Sequence, residues 1–202
     1  MKEFLTDPVF SVISKIADAE ETQVFVIGGF VRDIFLHRQT HDVDIVTLGN
    51  GIDLAKKTAA TISKKLHVSV FKTFGTAMFR YKDFDYEFVG ARKESYSHDS
   101  RKPQVESGTL QEDQNRRDFT INSLAISLNK DTFGELLDPF NGMQDMHDRI
   151  IRTPLNPDIT FSDDPLRMMR AVRFATQLDF TIEEQTFAGI RRMRERISIV
   201  SM

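Results

Sequence analysis

The sequence predicts an α+β fold, in which a small mixed β-sheet has helices packed on one face and is followed by a helical neck. Two observations support this. Runs with strand-like alternation are concentrated between Val24 and Val89, and only helical patterns recur in the last quarter of the chain. A strand-rich stretch that gives way to helices is typical of segregated α+β proteins. Two prolines near residues 153–158 suggest a boundary, so we predict one domain over residues 1–152 and the start of a helical neck over residues 153–202.

The first half of the chain alternates between helical and strand patterns. Apolar residues at helical spacing predict the first helix, and short β-branched or aromatic runs predict the strands. The predicted order is helix Pro8–Ala19, strand Val24–Ile27, helix Phe30–His37, strand Asp42–Leu48, helix Asp53–Leu66, an alternating run His67–Phe74, and strands Thr76–Tyr81 and Phe84–Val89.

The second half begins with a polar stretch, Ser95 to Asn115, which has no period and predicts a mobile loop. The elements predicted after it are a helix Asp118–Leu128, a turn Asp138–Gly142, a short helix Asp145–Ile150, and helices Pro165–Leu178 and Glu183–Arg196. Asp163 or Asp164 would cap the helix that Pro165 opens.

The composition describes an ordinary globular protein of 202 residues with a net charge of −3 and no cysteine. Disulfides and thiolate metal sites are therefore excluded. No apolar run is long enough to cross a membrane and the N-terminus does not resemble a signal peptide, so we expect a cytoplasmic protein with no membrane partner. Arginines recur from Arg167 onward, and they could face a polyanion or form a solvated helix face. Nothing in the sequence indicates a protein partner.

Two carboxylates interrupt an apolar strand at Asp42 and Asp44. Residues two apart on a strand point the same way, so these acids would repel each other unless a cation lay between them. Oxygen ligands suit Mg²⁺, for which Mn²⁺ can substitute. A solvated edge strand with two acids is the alternative. The glycine pair Gly28-Gly29 favours the metal site over this alternative. Glycines between a strand and a helix let a phosphate approach the backbone, and a phosphate site next to two carboxylates suits a metal-dependent reaction on a phosphate.

A third carboxylate would complete such a site. Glu87 and Asp85 lie two apart on a predicted strand, so either could reach the metal, and we favour Glu87. The alternative is that Asp85 and Glu87 simply form the exposed face of a strand whose other face buries Phe84, Tyr86 and Phe88. The layout suits phosphoryl or nucleotidyl transfer, in which metal ions hold both the attacking and the leaving oxygen.

Three stretches together resemble the class II tRNA nucleotidyltransferase and bacterial poly(A) polymerase family, within the DNA polymerase beta-like nucleotidyltransferases. They are Gly28-Gly29-Phe30-Val31-Arg32-Asp33 with Asp42-Val43-Asp44, then Arg116-Arg117-Asp118-Phe119-Thr120-Ile121-Asn122-Ser123-Leu124, and Asp163-Asp164-Pro165-Leu166-Arg167-Met168-Met169-Arg170-Ala171-Val172-Arg173-Phe174-Ala175. The resemblance implies a nucleotidyltransferase head followed by a neck. Asp163 stands where the family usually has glutamate.

The resemblance also implies roles for individual residues. Asp42 and Asp44 would be the catalytic metal ligands, and Asp164 and Arg167 would face the base of ATP or CTP. The other implied nucleotide contacts are Gly28, Gly29, Arg32, Arg117, Asp118, Asn122, Arg170 and Arg173. The sequence stops at Met202, shortly after the neck begins, so we expect weak binding to the tRNA 3′ end without body and tail domains.

The resemblance leaves the product open. We predict CCA addition, by attack of the RNA 3′-hydroxyl on the α-phosphate with release of pyrophosphate. The alternatives are a poly(A) polymerase, an A-only or CC-only adding enzyme, or a non-catalytic nucleotide- or RNA-binding head. The choice of base can be derived from Asp164 and Arg167 alone. A carboxylate accepts from an exocyclic amine and a guanidinium donates to an unprotonated ring nitrogen, and both adenine and cytosine present these two groups side by side.

Overall fold

A computed structural model describes residues 1–95 and 103–200. It divides the chain into two compact units. Unit 1 comprises residues 1–91, 107–110 and 124–137, and unit 2 comprises residues 92–106, 111–123 and 138–202. This grouping differs from the boundary at residue 153, which stays a prediction. Within the part of the chain that the structure describes, none of the helices is both long and apolar enough to span a membrane.

The helices and strands follow the chain in a mixed order. The helices are α1 (Pro8–Ala19), α2 (Gly29–Phe35), α3 (Gly51–Ile62), α4 (Leu110–Asn115), α5 (Gly142–His147), α6 (Pro157–Asp163), α7 (Leu166–Leu178) and α8 (Glu184–Met193). The strands are β1 (Val24–Ile27), β2 (Asp42–Thr47), β3 (Ser69–Phe71), β4 (Thr76–Tyr81), β5 (Phe84–Gly90), β6 (Arg92–Ser95), β7 (Gln104–Ser107), β8 (Ala125–Ser127), β9 (Leu136–Leu137), β10 (Ile150–Ile151) and β11 (Thr181–Ile182).

Unit 1 is built on a seven-stranded mixed sheet with the order β3-β4-β5-β2-β1-β8-β9. Strands β2 and β5 are parallel, and the other neighbours are antiparallel. The α+β prediction with a mixed sheet is therefore confirmed.

Helices cover one face of this sheet. Val43, Ile45, Tyr86 and Phe88 point into this side and are fully or almost fully buried. Phe10 of α1 meets Tyr86 edge-on, with 6.1 Å between the ring centroids. Such aromatic burial supplies much of the hydrophobic stabilisation of a domain core.

Helix α3 also lies close against the sheet. A Cβ at its first residue, Gly51, would come within 2.7 Å of the Val89 backbone, so only glycine fits there.

The opposite face of the sheet is apolar in part. Phe25, Ile27, Val46, Ala91 and Ala125 form a buried cluster there. Val89, Leu110 and Leu137 pack against this cluster. Asp42 and Asp44 lie on the same face as Val46, because side chains of a strand alternate.

Unit 2 contains helices α5 to α8 with two small two-stranded sheets, β6-β7 and β10-β11. Phe119 packs edge-on against Phe174 of α7, with 5.9 Å between the ring centroids. Phe161 of α6 and Ala171 of α7 are also fully buried. The helices predicted around Pro165–Leu178 and Glu183–Arg196 are present with slightly different ends, whereas α6 was not predicted.

The prediction of one irregular loop from Ser95 to Asn115 is wrong where the structure describes it. Residues 104–107 form β7 and residues 110–115 form α4. Residues 96–102 of the predicted loop lie outside the described residues. The polar composition hid these elements, because β7 is exposed throughout and gains its order from pairing with β6.

The predicted helix Asp118–Leu128 is also wrong. A short 3₁₀ turn at Thr120–Asn122 is followed by strand β8, which pairs with β1. All of residues 118–128 are buried, so apolar spacing could not distinguish a helix from a central strand. The hydrogen-bonded pairing of β8 with β1 stabilises the strand conformation of residues 125–127.

Candidate functional site

Strand β2 presents the predicted carboxylate pair on a single face of the unit 1 sheet. Asp42 is exposed, and Asp44 is half-buried beside Ile27, its partner on β1. Val43 and Ile45 point into the core on the other face. The strand geometry therefore places two carboxylates together, next to an apolar cluster, as the alternation of the sequence predicted.

The parallel pairing of β2 with β5 adds two more acids to this face. Asp85 lies opposite Asp42, and Glu87 lies opposite Asp44. Glu87 is exposed. Both remain candidates for the third carboxylate, and the choice of Glu87 stays a prediction.

The donor set on this face suits a hard divalent cation. Within residues 1–95 and 103–200, the structure shows no group of three or more histidine, aspartate and glutamate side chains arranged to hold a metal ion. Mg²⁺ commonly takes one or two carboxylates from the protein and completes its shell with water and substrate phosphates. Two aspartates on one strand fit that pattern.

The glycine pair joins β1 to α2. Gly28 has φ 82° and ψ −135°, a conformation open almost exclusively to glycine, and its N–H donates to the Leu124 carbonyl at 3.1 Å. Gly29 begins α2, and a Cβ there would lie 3.7 Å from Arg32 Nη2, an ordinary contact. Gly28 is therefore required by the backbone, whereas the nucleotide contacts predicted for both glycines stay predictions.

We expect Gly28→Ala to destabilise the protein by about 1–3 kcal/mol, because alanine is strained in this region of φ and ψ. Gly29→Ala is the matched control and should change the free energy of unfolding by less than about 0.5 kcal/mol. Urea unfolding of both variants measures the difference. Equal destabilisation by the two substitutions would contradict the backbone explanation.

Arg32 lies buried on α2 beside Asp33. Its Nε and Nη2 donate to the two carboxylate oxygens of Asp33, each at 2.9 Å. This bidentate pair fixes the guanidinium plane. No role was predicted for Asp33, and the nucleotide contact of Arg32 stays a prediction.

In unit 2, residues from the second and third motifs line one cavity of about 290 Å³. We call it the arginine cavity. Its lining is Arg116, Arg117, Asp118, Asp164, Leu166, Arg167 and Arg170. Five of the predicted nucleotide contacts are thus together, while Arg116 and Leu166 were not predicted.

Asp118 organises one wall of the arginine cavity. Its Oδ2 accepts from Arg170 Nε at 2.7 Å, and its Oδ1 accepts from Asn122 Nδ2 at 2.9 Å. Both Asp118 and Asn122 are buried. Asp118 and Asn122 therefore form a buried polar pair four residues apart, and Asp118 orients the Arg170 guanidinium.

Asp113, for which no role was predicted from the sequence, holds the two arginines of the second motif. Its Oδ1 accepts from Arg116 Nη2 at 2.6 Å, and its Oδ2 accepts from Arg117 Nη2 at 3.0 Å. Burial by itself would raise the pKa of Asp113, but the charges of Arg117 and Arg116 outweigh it and lower this pKa below its ordinary value. The i, i+3 and i, i+4 spacing of an acid and two arginines was the available signal.

We expect Asp113→Asn to destabilise the protein by about 3 kcal/mol, because Arg117 loses its buried counter-charge and Arg116 keeps only that of Glu94. The lowered folded-state pKa means that the native chain gains this stability above the unfolded pKa of roughly 3.9 and loses it as the pH falls through the folded value. Urea unfolding between pH 7 and pH 2 should therefore show a flatter acid limb in the variant. Asp131→Asn, at an exposed position, is the control. Identical pH profiles for native chain and Asp113→Asn would contradict this.

Asp164 and Arg167 flank the start of α7. Asp164 Oδ1 caps the helix by accepting from the Leu166 N–H at 3.1 Å, and Arg167 is 8% exposed and donates to the Thr160 carbonyl at 3.4 Å. Arg167 is therefore held inside unit 2 and does not lie on an exposed turn. Burial raises the pKa of the neighbouring Asp163, with Arg167 opposing that shift.

Arg173 is absent from the described lining of the arginine cavity. It is exposed, and its guanidinium lies 5.5 Å from the ring centroid of Phe174. Its nucleotide contact stays a prediction.

Comparison with known proteins places these residues in a family. Residues 24–152 match the Poly A polymerase head domain. A CCA-adding enzyme from Enterococcus faecalis is 37% identical over 187 residues, which cover 92% of this chain and 44% of the enzyme. An A-adding tRNA nucleotidyltransferase from Aquifex aeolicus is 43% identical over 164 residues, which cover 81% of this chain and 19% of that protein. The chain spans less than half the length of these relatives.

Solved structures support the same family. A CCA-adding enzyme in an apo form matches with a TM-score of 0.85 at 34% identity, over 94% of this chain and 44% of the other. A tRNA nucleotidyltransferase complexed with a primer tRNA and an incoming ATP analog matches with a TM-score of 0.78 at 36% identity, over 91% of this chain and 50% of the other. The chain therefore belongs to the poly A polymerase head-domain family of class II tRNA nucleotidyltransferases.

Proposed function

We propose that this chain transfers nucleotides from ATP and CTP to the 3′ end of tRNA, without a nucleic-acid template. The observation that carries the proposal is the arginine cavity, which combines cationic side chains with the Asp164 and Arg167 pair. Arginines suit a triphosphate, and an acid beside an arginine suits a base with an amine next to a ring acceptor. A relative of similar fold is named as a complex with a primer tRNA and an ATP analog, which supports this substrate class.

In the proposed reaction the RNA 3′-hydroxyl attacks the α-phosphate, a new phosphodiester bond forms and pyrophosphate leaves. Arg117 and Arg170 would oppose the negative charge of the triphosphate, and Asp113 and Asp118 hold these guanidinium groups in position. Preorganised charge of this kind is generally a large term in catalysis. No protein nucleophile is required.

Asp42 and Asp44 are the proposed ligands of Mg²⁺, with Mn²⁺ as a substitute. Bound there, the cation would supply charge neutralisation at the reacting oxygens. The two carboxylates on one face provide the oxygen donors that it prefers. A reaction on tRNA agrees with our expectation of a cytoplasmic protein.

CCA addition is the favoured product, because several relatives are CCA-adding enzymes. A-only addition is a second candidate, since relatives from Aquifex aeolicus and Geobacter sulfurreducens are A-adding enzymes. CC-only addition and poly(A) tailing use the same chemistry. Incorporation of each labelled nucleotide singly, into tRNAs ending before the first C, before the second C and before the A, separates these products.

The proposal of another class is a nucleotide- or RNA-binding head that does not catalyse. It would bind ATP in an equilibrium assay but incorporate no nucleotide into any of the three tRNAs. Incorporation that depends on Asp44 excludes it.

A further inference from the structure

Two phenylalanines lie exposed at the β3 edge of the unit 1 sheet. Phe71 ends β3 and is 45% exposed, and Phe74 follows in a 3₁₀ turn and is 69% exposed. The exposed Lys72 lies between them in sequence. We call Phe71, Lys72 and Phe74 the edge patch. Lysine and a short strand protect a sheet edge from pairing, but neither accounts for two exposed aromatic rings only three residues apart.

The chain segment that contains the edge patch is basic. No acidic residue occurs between Asp53 and Asp83, in a chain whose net charge is −3. The Lys and Arg residues in that stretch are Lys56, Lys57, Lys64, Lys65, Lys72, Arg80 and Lys82. Of these, Lys57 is paired with Glu20, and Arg80 lies 3.9 Å from Asp85. Exposed lysine beside exposed aromatic rings is a combination by which proteins hold single-stranded nucleic acid.

The register of the sheet links the edge patch to the carboxylates. Phe71 pairs with Thr76, and Ser69 pairs with Met78, which pairs with Glu87, which in turn pairs with Asp44. Paired residues share a face, and so do residues two apart on a strand. Phe71 therefore points to the same face as Asp44.

The distance from Phe71 to Asp44 across the paired strands is short. Strands β3 and β2 are three strand spacings apart, or about 14 Å. That is roughly the length of four stacked nucleotides at 3.4 Å each. An RNA strand whose 3′ end lies at Asp44 could therefore extend across β5 and β4 to the edge.

We propose that the edge patch binds the single-stranded 3′ segment of the RNA substrate, by stacking bases on Phe71 and Phe74 and by contact of Lys72 with a phosphate. The direction of the strand, with its 3′ end at the carboxylates, depends on the proposed nucleotidyl transfer. Binding of single-stranded RNA at the edge patch does not depend on that reaction.

The test is the affinity of the whole chain for a fluorescent single-stranded RNA of about ten nucleotides ending in two cytidines, measured by anisotropy without nucleotide. Phe71→Ala plus Phe74→Ala should raise the Kd about tenfold. Phe74→Trp should retain binding and Phe74→Leu should lose it, which separates stacking from apolar contact. Lys72→Ala should lower the slope of log affinity against log salt by about 0.7.

The matched controls are Phe187→Ala, which removes a ring that is 51% exposed on α8, and Lys130→Ala, beyond β8 near the other edge of the same sheet. Both should bind the RNA as the native chain does. An unchanged Kd in the double variant, or an equal weakening in the Phe187 control, would overturn the proposal. So would self-association that the double variant abolishes while RNA binding is kept, since the edge would then be a protein interface.

The same variants separate this inference from the proposed function. In an incorporation assay the double variant should raise KM for the RNA and leave KM for ATP unchanged. If the native chain incorporates nothing, the proposed function fails while the anisotropy result still decides the RNA contact. If incorporation occurs with an unchanged KM for the RNA, the inference fails and the proposed function stands.

Discussion

Asp44→Ala is expected to abolish nucleotide incorporation while leaving the fold intact. Asp44 lies on the solvent-accessible side of β2 opposite a fully buried core, so its substitution removes a proposed metal donor and leaves the packing of that core in place. Substituting a residue that only orients a metal ligand typically costs 10–100-fold, so removal of a ligand itself should cost more than about 100-fold in kcat. Single-turnover incorporation at saturating Mg²⁺ measures the effect, and thermal unfolding checks the fold.

The matched control is Asp83→Ala, which removes an exposed acid in the turn between β4 and β5 and should leave activity unchanged. Glu87→Ala and Asp85→Ala then identify the third carboxylate, since only the one that serves the reaction should lower kcat strongly. An Asp44→Ala variant with native turnover would remove the carboxylate pair from the mechanism.

Asp164→Ala combined with Arg167→Ala is expected to remove the discrimination of the chain against GTP and UTP. The carboxylate accepts from an exocyclic amine, and the guanidinium donates to an unprotonated ring nitrogen. Adenine and cytosine satisfy both groups, whereas guanine and uracil present a carbonyl beside a ring N–H and satisfy neither. An unpaired buried polar group costs about 1–3 kcal/mol, so each hydrogen bond that the wrong base fails to make should give a native selectivity between about fivefold and 150-fold.

Competition among the four nucleotides measures this selectivity in the native chain and in the double variant. Arg191→Ala, an exposed arginine on α8, is the control and should keep native selectivity. The variant must also be checked for stability, because Arg167 is buried and Asp164 caps α7. Equal use of UTP and ATP by the native chain would contradict the base-reading role.

The sequence by itself determined the features that depend on local geometry. Alternation along β2 places Asp42 and Asp44 on one face in any sheet, because residues two apart on a strand always point the same way. The glycine pair between a strand and a helix was also recognisable, and the sequence predicted a phosphate contact there, whereas the positive φ of Gly28 was seen only in the structure. The sequence also located the start of α7, since an aspartate followed by a proline favours a helix start, but it left Asp163 and Asp164 as alternative caps, of which the structure selects Asp164.

Only the tertiary structure decided the features that join distant segments. Strand β8 was predicted as part of a helix, because a run buried on every side has no period and its pairing with β1 lies about a hundred residues away in sequence. The approach of Glu87 to Asp44 depends on the parallel pairing of β2 with β5, and the ion pair of Asp118 with Arg170 joins two separate motifs. Sequence patterns report the preference of each segment for a conformation, whereas these interactions arise from long-range packing and pairing, which no local pattern specifies.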